Sequence, residues 1–345
     1  MGEGLTGRGR GGALGTPAGR VAGWLALQQA PGIGAAAMLR VARVFGSPYA
    51  ALHAPIDELV ARGGISLDQA RAIVAHKDAE AALQHNIEAW RSRGVELICI
   101  DDESYPAQLR DLRTPPPLLY VRGSLRPEDT RAVAVVGTRE PDRAGAALAR
   151  RLGHEFATRG FTIVSGLARG IDTAGHRGAL LPEAPPGLVG TRRGPRGTSR
   201  SLSPSAEQGR TIAVLGCGLL RIYPSENARL AGRIAARGCL LSEVPPETEV
   251  QAGLLLARDR IQAALSRAVV VVEAHRECGS IVTARHAAQC GRLLYGVPWE
   301  RPPFSEGWKT LRSMGALPIT ADADFDEVAA TIDAHVSEPK ERPLL

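Results

Sequence analysis

Apolar residues recur at helical spacing from Val21 to about Leu83, interrupted at Pro31-Gly32-Ile33-Gly34, Gly46-Ser47-Pro48 and Arg62-Gly63-Gly64-Ile65. Residues three and four apart share a helix face, and Gly and Pro break that pattern, so a small helical domain is predicted here. A helix over about 85–93 and an apolar strand, Val95–Ile100, follow it. Beyond the proline-rich Thr114–Pro117 comes a short apolar run, Leu118–Val121. The polar, Pro-containing stretch Ser124–Thr130 then reads as the junction to a second domain.

From Arg131 the pattern changes to apolar strands at Ala132–Gly137, Phe161–Ser165, Thr211–Leu215, Cys239–Glu243, Ala268–Ala274, Leu293–Val297 and, weakly, Ala316–Ile319. Helical stretches such as Gly145–Thr158, Asn227–Arg237 and Thr283–Cys290 lie between them. Strands that are Val, Ile and Leu almost throughout are buried on both faces. Their alternation with helices predicts a doubly wound α/β domain on a mostly parallel sheet. Residues 182–209, rich in Pro, Gly, Ser and Arg, break the rhythm and predict a disordered insertion. Its arginines either hold a polyanion or belong to a tolerated surface loop. The Gly-rich residues 1–20 predict a disordered tail. The expected organisation is that tail, a helical domain with its strand-containing link over 21–125, an α/β domain over 126–335, and a tail over 336–345.

Composition narrows the setting. At 345 residues the chain exceeds one average domain. Its net charge is +6, but four of those charges lie in residues 1–20 and 181–209, so the folded body is close to neutral. Bulk charge alone therefore argues little for nucleic acid, and any anion site must be a local patch. The five cysteines, Cys99, Cys217, Cys239, Cys278 and Cys290, form no C-x-x-C pair. They read as buried thiols of a reducing compartment rather than zinc ligands or a disulfide frame. No early stretch combines a basic start, an apolar run and a small-residue cleavage site, and no run of about 20 apolar residues occurs, so a cytoplasmic location is expected.

The richest motif is Ile163–Asp172 (IVSGLARGID). A strand ends at Ser165, Gly166 and Gly170 permit a tight turn, and a helix is expected from Asp172. Such a loop can offer backbone N–H groups and a helix N-terminus to an anion, with Arg169 adding charge. A second loop of this type, Cys278–Thr283 (CGSIVT), follows the strand Val269–Ala274; there Ser280 can cap a helix or bind a phosphate oxygen. Either loop alone is equally a plain strand-to-helix turn. Two of them after parallel strands favour a phosphate-binding crevice at the carboxyl edge of the sheet. A third loop, Val136-Gly137-Thr138-Arg139, follows the first strand of the domain and places an arginine where a phosphate would approach.

Other chemistry is thin. Gly216-Cys217-Gly218 opens like a dinucleotide fingerprint, but Arg221 stands where its third glycine belongs. Ser165 and His176 lack a third partner, no G-x-S-x-G elbow occurs, and Glu243 and Glu273 are lone acids at strand ends. No catalytic set and no metal-ligand spacing emerges. The Ala30–Gly34 turn reads as a helix-hairpin-helix, which can offer backbone N–H groups to a DNA phosphate, or as an ordinary helical hairpin. Gly63-Gly64-Ile65 before Ser66 looks like a degenerate second copy.

Eight ordered segments together resemble the DprA/Smf family: Val135–Arg139, Ser165–Ala179, Thr211–Leu230, Leu241–Pro245, Leu256–Ser266, Val270–Ala274, Gly279–Ala284 and Gly291–Pro298. They cover roughly residues 131–335. The resemblance implies an extended Rossmann-like domain preceded by a small helical SAM-like domain. It also implies a non-enzymatic, cofactor-free protein that binds single-stranded DNA in a basic pocket, forms homodimers, protects incoming DNA in natural transformation and loads the RecA recombinase. Carried over residue by residue, Arg139 is the leading DNA contact, beside Gly137 and Thr138. Gly166, Arg169 and Gly170 shape the pocket, and Gly279, Ser280 and Thr283 form its far wall. Arg258 and Arg260 match the arginines of the family's R-N-R segment. Phosphates are thus expected at the loops after the first, second and fifth strands of the α/β domain.

Two departures bear on affinity. The family's R-N-R reads Arg258-Asp259-Arg260, with a carboxylate in place of the amide. Ser225 and Glu226 stand where many relatives carry a lysine. The chain stops at Leu345, too soon for the winged-helix domain that many relatives carry, and none is expected. With 4% aromatic residues a base-stacking platform is not expected, so binding rests on phosphates and weakens with salt. The alternative is a nucleotide-processing phosphoribohydrolase on the same fold, with Glu243 or Glu273 assisting glycosidic cleavage, although the Gly-Gly-x-Gly-Thr segment of those enzymes is absent.

Overall fold

The computed structural model describes residues 17–181 and 209–335. The expectations for residues 1–16, 182–208 and 336–345 lie outside them. The chain divides into two compact units, one over residues 17–105 with Thr114–Leu119, the other over Pro106–Arg113 and from Tyr120 onward.

The first unit holds six helices: α1 (Pro17–Gln29), α2 (Ala35–Phe45), α3 (Pro48–His53), α4 (Ile56–Ala61), α5 (Leu67–Ala75) and α6 (Glu80–Ser92). The strand β1 (Val95–Cys99) follows. The expected breaks fall between helices: Gly32 at φ +76° turns α1 into α2, and Gly46 at φ +84° ends α2. Ser66 starts α5 with a reciprocal capping box to Gln69, whose side-chain amide also donates to Gly32 O at 2.8 Å and ties the start of α5 to the Gly32 turn. One boundary moves. Residues 17–20, expected in the tail, are already helical, because Pro17 suits a first helical turn and α1 buries Trp24, Leu25 and Leu27.

The second unit contains β2 (Leu118–Gly123, from Tyr120), β3 (Ala132–Val136), α7 (Arg143–Thr158), β4 (Thr162–Ser165), α8 (Ile171–Ala179), β5 (Thr211–Val214), α9 (Ala228–Arg237) and β6 (Cys239–Ser242). It continues with α10 (Ala252–Ala257), α11 (Asp259–Leu265), β7 (Ala268–Val271), α12 (Gly279–Gln289), β8 (Leu293–Gly296), α13 (Phe304–Ser313), β9 (Leu317–Pro318) and α14 (Phe325–Ala334). The strands of the second unit are ordered β2-β6-β5-β4-β3-β7-β8-β9. From β6 to β9 neighbours are parallel, and β2 joins β6 antiparallel, Tyr120 opposite Ser242. This pairing joins β2, from Tyr120, to the α/β unit, which also takes in Pro106–Arg113.

The α/β fold read from the sequence is present. Every residue of β3 is buried between β4 and β7. Val133, Val135, Ile163 and Val270 meet Leu152 and Phe156 of α7, Ile171 of α8 and Ile332 of α14 in one core. Gly153 and Gly178 let α7 and α8 approach closely, since a Cβ on either would strike the other helix's backbone carbonyls. After β6 the chain returns to β7 on the far side of β3. The loops after β3 and β7 therefore separate at the sheet's switch point and open a crevice at its carboxyl edge. Four helices, α10, α11, α13 and α14, lie outside the stretches that the sequence pattern predicts. Of these α10 and α11 are only six and seven residues long, too short for a periodic pattern to stand out. Among the described residues no helix is long and apolar enough to cross a membrane.

Candidate functional site

The crevice is a cavity of about 630 Å³. The loop after β3 supplies Gly137, Thr138, Arg139 and Glu140; the loop after β4 and α8 supply Ala168 and Asp172. Leu255, Leu256, Arg258, Asp259 and Gln262 come from α10 and α11, and His275, Cys278, Gly279, Ser280 and Thr283 from the β7–α12 connection. Phe304 of α13 closes one side. Seven of the eleven expected site residues thus converge: Gly137, Thr138, Arg139, Arg258, Gly279, Ser280 and Thr283. Gly166, Arg169, Gly170 and Arg260 are not on the cavity wall.

The β4–α8 loop differs in kind from the expectation. Two of its backbone N–H groups are already taken: Gly166 N and Ala168 N donate to Asp172 Oδ2 at 3.0 and 3.3 Å. A carboxylate of the chain sits where a phosphate was expected. Leu167 is held at φ +59°, a conformation costly for a branched side chain by roughly 1–3 kcal/mol. It is fixed by buried Asn227, whose Nδ2 donates to Leu167 O at 2.8 Å and Thr173 Oγ1 at 2.9 Å. Gly170, at φ +75°, faces the carbonyl oxygens of Thr138 and Arg139, and Ile171 N donates to Thr138 O at 3.1 Å. Gly166 and Gly170 therefore serve close packing; a Cβ on Gly166 would run into the Arg258 guanidinium.

Three expected DNA-contacting arginines are paired with acids. Arg169 pairs with Glu226, both about half exposed, and Arg260 pairs with Glu243. Arg258, 5% exposed, lies between Asp172 at 3.8 Å and Asp259 at 3.3 Å. Burial raises the Asp172 pKa and pushes that of Asp259 up to about 6, against the lowering influence of Arg258 on both. Neighbouring His176 is fully buried and its pKa falls to about 3, first through desolvation and then through the Arg258 charge, so its ring is neutral. Arg139, in contrast, is exposed and makes no hydrogen bond or ion pair among the described residues. The wall thus carries two arginines and three carboxylates, Glu140, Asp172 and Asp259.

At the far wall α12 starts at Gly279, four residues earlier than expected. Ser280 is a first-turn residue rather than the cap, its Oγ 2.8 Å from Cys278 Sγ, and no side chain caps the helix. The open N-terminus of an eleven-residue helix therefore faces the cavity. Glu273 and Glu243 line no part of it. Glu273 is wholly buried against Arg301 at 2.7 Å, and burial raises the pKa of both acids.

Comparison with known proteins adds an independent line. The family model of DNA recombination-mediator protein A matches residues 96–329. Protein Smf of Synechocystis sp. is 34% identical over 279 residues, covering 80% of this chain but 64% of that protein, just under two thirds of its length. The X-ray structure of DNA processing protein A from Streptococcus pneumoniae superposes with a TM-score of 0.70 at 26% identity, covering 91% of this chain and 99% of that one. A structure of DNA processing protein A from Helicobacter pylori, described for its single-stranded DNA binding mode, gives a TM-score of 0.55 at 29% identity, covering 69% and 97%.

Proposed function

The chain belongs to the DNA recombination-mediator protein A family, and on that premise we propose that it is a recombination mediator binding single-stranded DNA at the switch-point crevice. The observation that carries this reading is Arg139, unpaired beside the uncapped N-terminus of α12, two donors to phosphate on opposite walls of one cavity. Gly137, Thr138, Gly279, Ser280 and Thr283 let backbone and hydroxyl donors approach the strand. Gly166, Arg169, Gly170, Arg258 and Arg260 act as a scaffold behind it, their charges spent on carboxylates. The same reading has the protein act as a homodimer, protect single-stranded DNA and pass it to RecA, without cofactor or chemistry of its own. The enclosure of Glu243 and Glu273 away from the cavity argues against glycosidic cleavage there.

Fluorescence anisotropy of a labelled thymine oligonucleotide across a salt series tests the binding step. A charge-assisted contact contributes about 1.5–3 kcal/mol, so Arg139→Ala is expected to weaken binding roughly 10- to 150-fold. Its salt slope should fall by about 0.7 for one lost phosphate contact. Wild-type affinity in a folded R139A protein would refute the assignment. RecA filament growth on the protein-coated strand and light scattering of the free protein test loading and dimerisation.

A further inference from the structure

We propose that Arg301, acting through Glu273 and Asp142, is a positioning residue that locks the β3–α7 loop so that Arg139 is presented to the strand. The inference rests on the reading of the crevice as the DNA site. The loop over 137–142 has no regular structure of its own and carries Arg139 at its centre. Both its ends are pinned by one residue. Thr138 N donates to the Glu273 main-chain oxygen at 2.7 Å, and Asp142 N donates to Glu273 Oε2 at 3.3 Å. Gly137 permits the first contact, because a Cβ there would stand 2.9 Å from Glu273 O and 2.7 Å from Ile171 Cγ1. Gly145 permits the second, because a Cβ there would overlap the Glu273 carboxylate.

Arg301 holds this arrangement from the other side. Its Nη1 lies 2.5 Å from Asp142 Oδ2 and its Nη2 2.7 Å from Glu273 Oε1, so one fork spans two carboxylates. The guanidinium is set by aromatic faces, 4.2 Å from the Trp299 ring centre and 5.1 Å from that of Phe304. Trp299 is itself anchored by Nε1 donating to Val272 O at 2.6 Å. Asp142 Oδ1 meanwhile accepts from Gly145 N at 2.9 Å and starts α7. Removing the cation leaves two acids facing each other, one wholly buried, with the loop's second anchor between them. None of Arg301, Glu273 and Asp142 lines the cavity; Arg301 meets it only through the loop and through the face of Phe304, and the R139A background separates the two routes.

The test is a double-variant cycle of R301M and R139A in the full chain, read by anisotropy with a thymine oligonucleotide, with melting temperature as the folding control. R301M is expected to weaken binding about fivefold to tenfold, to lower the salt slope as R139A does, and to add nothing in the R139A background. R301K, which can reach one carboxylate but cannot fork, should recover part of the loss. D142N, which keeps the helix cap, gives a second arm should R301M fold poorly, and should behave as R301M does. Independent, multiplying losses would overturn the inference, since Arg301 would then act on DNA directly or through general stability. So would wild-type affinity in both R301M and D142N. Wild-type affinity in R139A, by contrast, would overturn the binding reading itself.

Discussion

Asp259→Asn replaces a cavity carboxylate with an amide of the same shape, and its effect can be worked from the geometry. Asp259 Oδ2 lies 3.7 Å from where a Cβ on Gly279 would stand, hard by the open N-terminus of α12. A phosphate held by the first amides of that helix would be about 6 Å away, where two negative charges repel by about 3 kcal/mol at an effective dielectric near 20. The open mouth of the cavity halves this, leaving about 1.4 kcal/mol, or tenfold in affinity at pH 7.5. The sign with pH follows from the Asp259 pKa of about 6. Above that value the carboxylate opposes the strand; at pH 5 only about a tenth of it remains ionised. Wild-type affinity should therefore rise about tenfold from pH 7.5 to 5, while D259N stays flat and tight. His275 shares the wall, so both chains carry H275Q to leave Asp259 as the one difference between them. Stability has the matching sign: a carboxyl whose pKa is raised by folding stabilises fully below its unfolded value near 4, and that contribution is lost as pH climbs through 6. D259N should thus melt higher than wild type at pH 7.5, with the gap closing towards pH 4. Parallel pH profiles for the two chains in anisotropy would refute the placement of a phosphate beside α12.

Glu226→Gln frees Arg169 from an exposed ion pair, and such pairs add little to stability, so the melting temperature should hardly change. If Arg169 reaches the strand once released, affinity rises about two- to fivefold and the salt slope steepens by about 0.7; an unchanged slope means it does not. Asp129→Ala is a stability test: Asp129, 7% exposed, accepts two bonds from Arg210, at 2.9 and 2.7 Å, and one from Thr162 Oγ1 at 2.7 Å. Removing the carboxylate leaves Arg210 only the carbonyls of Arg237 and Ser124 and should cost about 3 kcal/mol in urea denaturation; a midpoint within error of wild type would sink that account.

The architecture was legible because strands buried on both faces announce themselves as unbroken apolar runs, and β3 to β8 all fall inside the expected segments. The link strand was legible too, but not its membership: only the pairing of Tyr120 with Ser242 assigns β2 to the α/β unit. Turn glycines could be counted, yet their tasks could not be separated. Gly32 and Gly170 serve positive φ, whereas Gly153 and Gly178 serve helix contact, a distinction that needs the neighbouring backbone. At the site, spacing located the loops after β3, β4 and β7. It could not reveal that Asp172, six residues past Gly166, folds back onto the amides offered to a ligand. The cavity leucines of α10 lie on a six-residue helix, too short to be read, and nothing in the sequence tied Arg301 to Asp142 across 159 positions.

Charge is where sequence and structure part most, and the reason is pairing. Arg169, Arg258 and Arg260 look alike in a motif, each a cation near a phosphate loop, but each has a carboxylate within reach from another element. A buried cation between two buried acids has its field cancelled locally and gives little to a ligand several ångströms off. On the proposed reading, binding energy at this crevice comes from Arg139, which makes no ion pair though it feels the Asp259 charge, from the first turn of α12, and from whatever relieves Asp259 of its charge. A strand held by so few contacts would be sensitive to loop position, since a charge-assisted bond weakens steeply as its geometry is lost. That sensitivity makes the orientation of a single exposed arginine matter, and with it the buried Glu273 and the Arg301 fork that hold its loop.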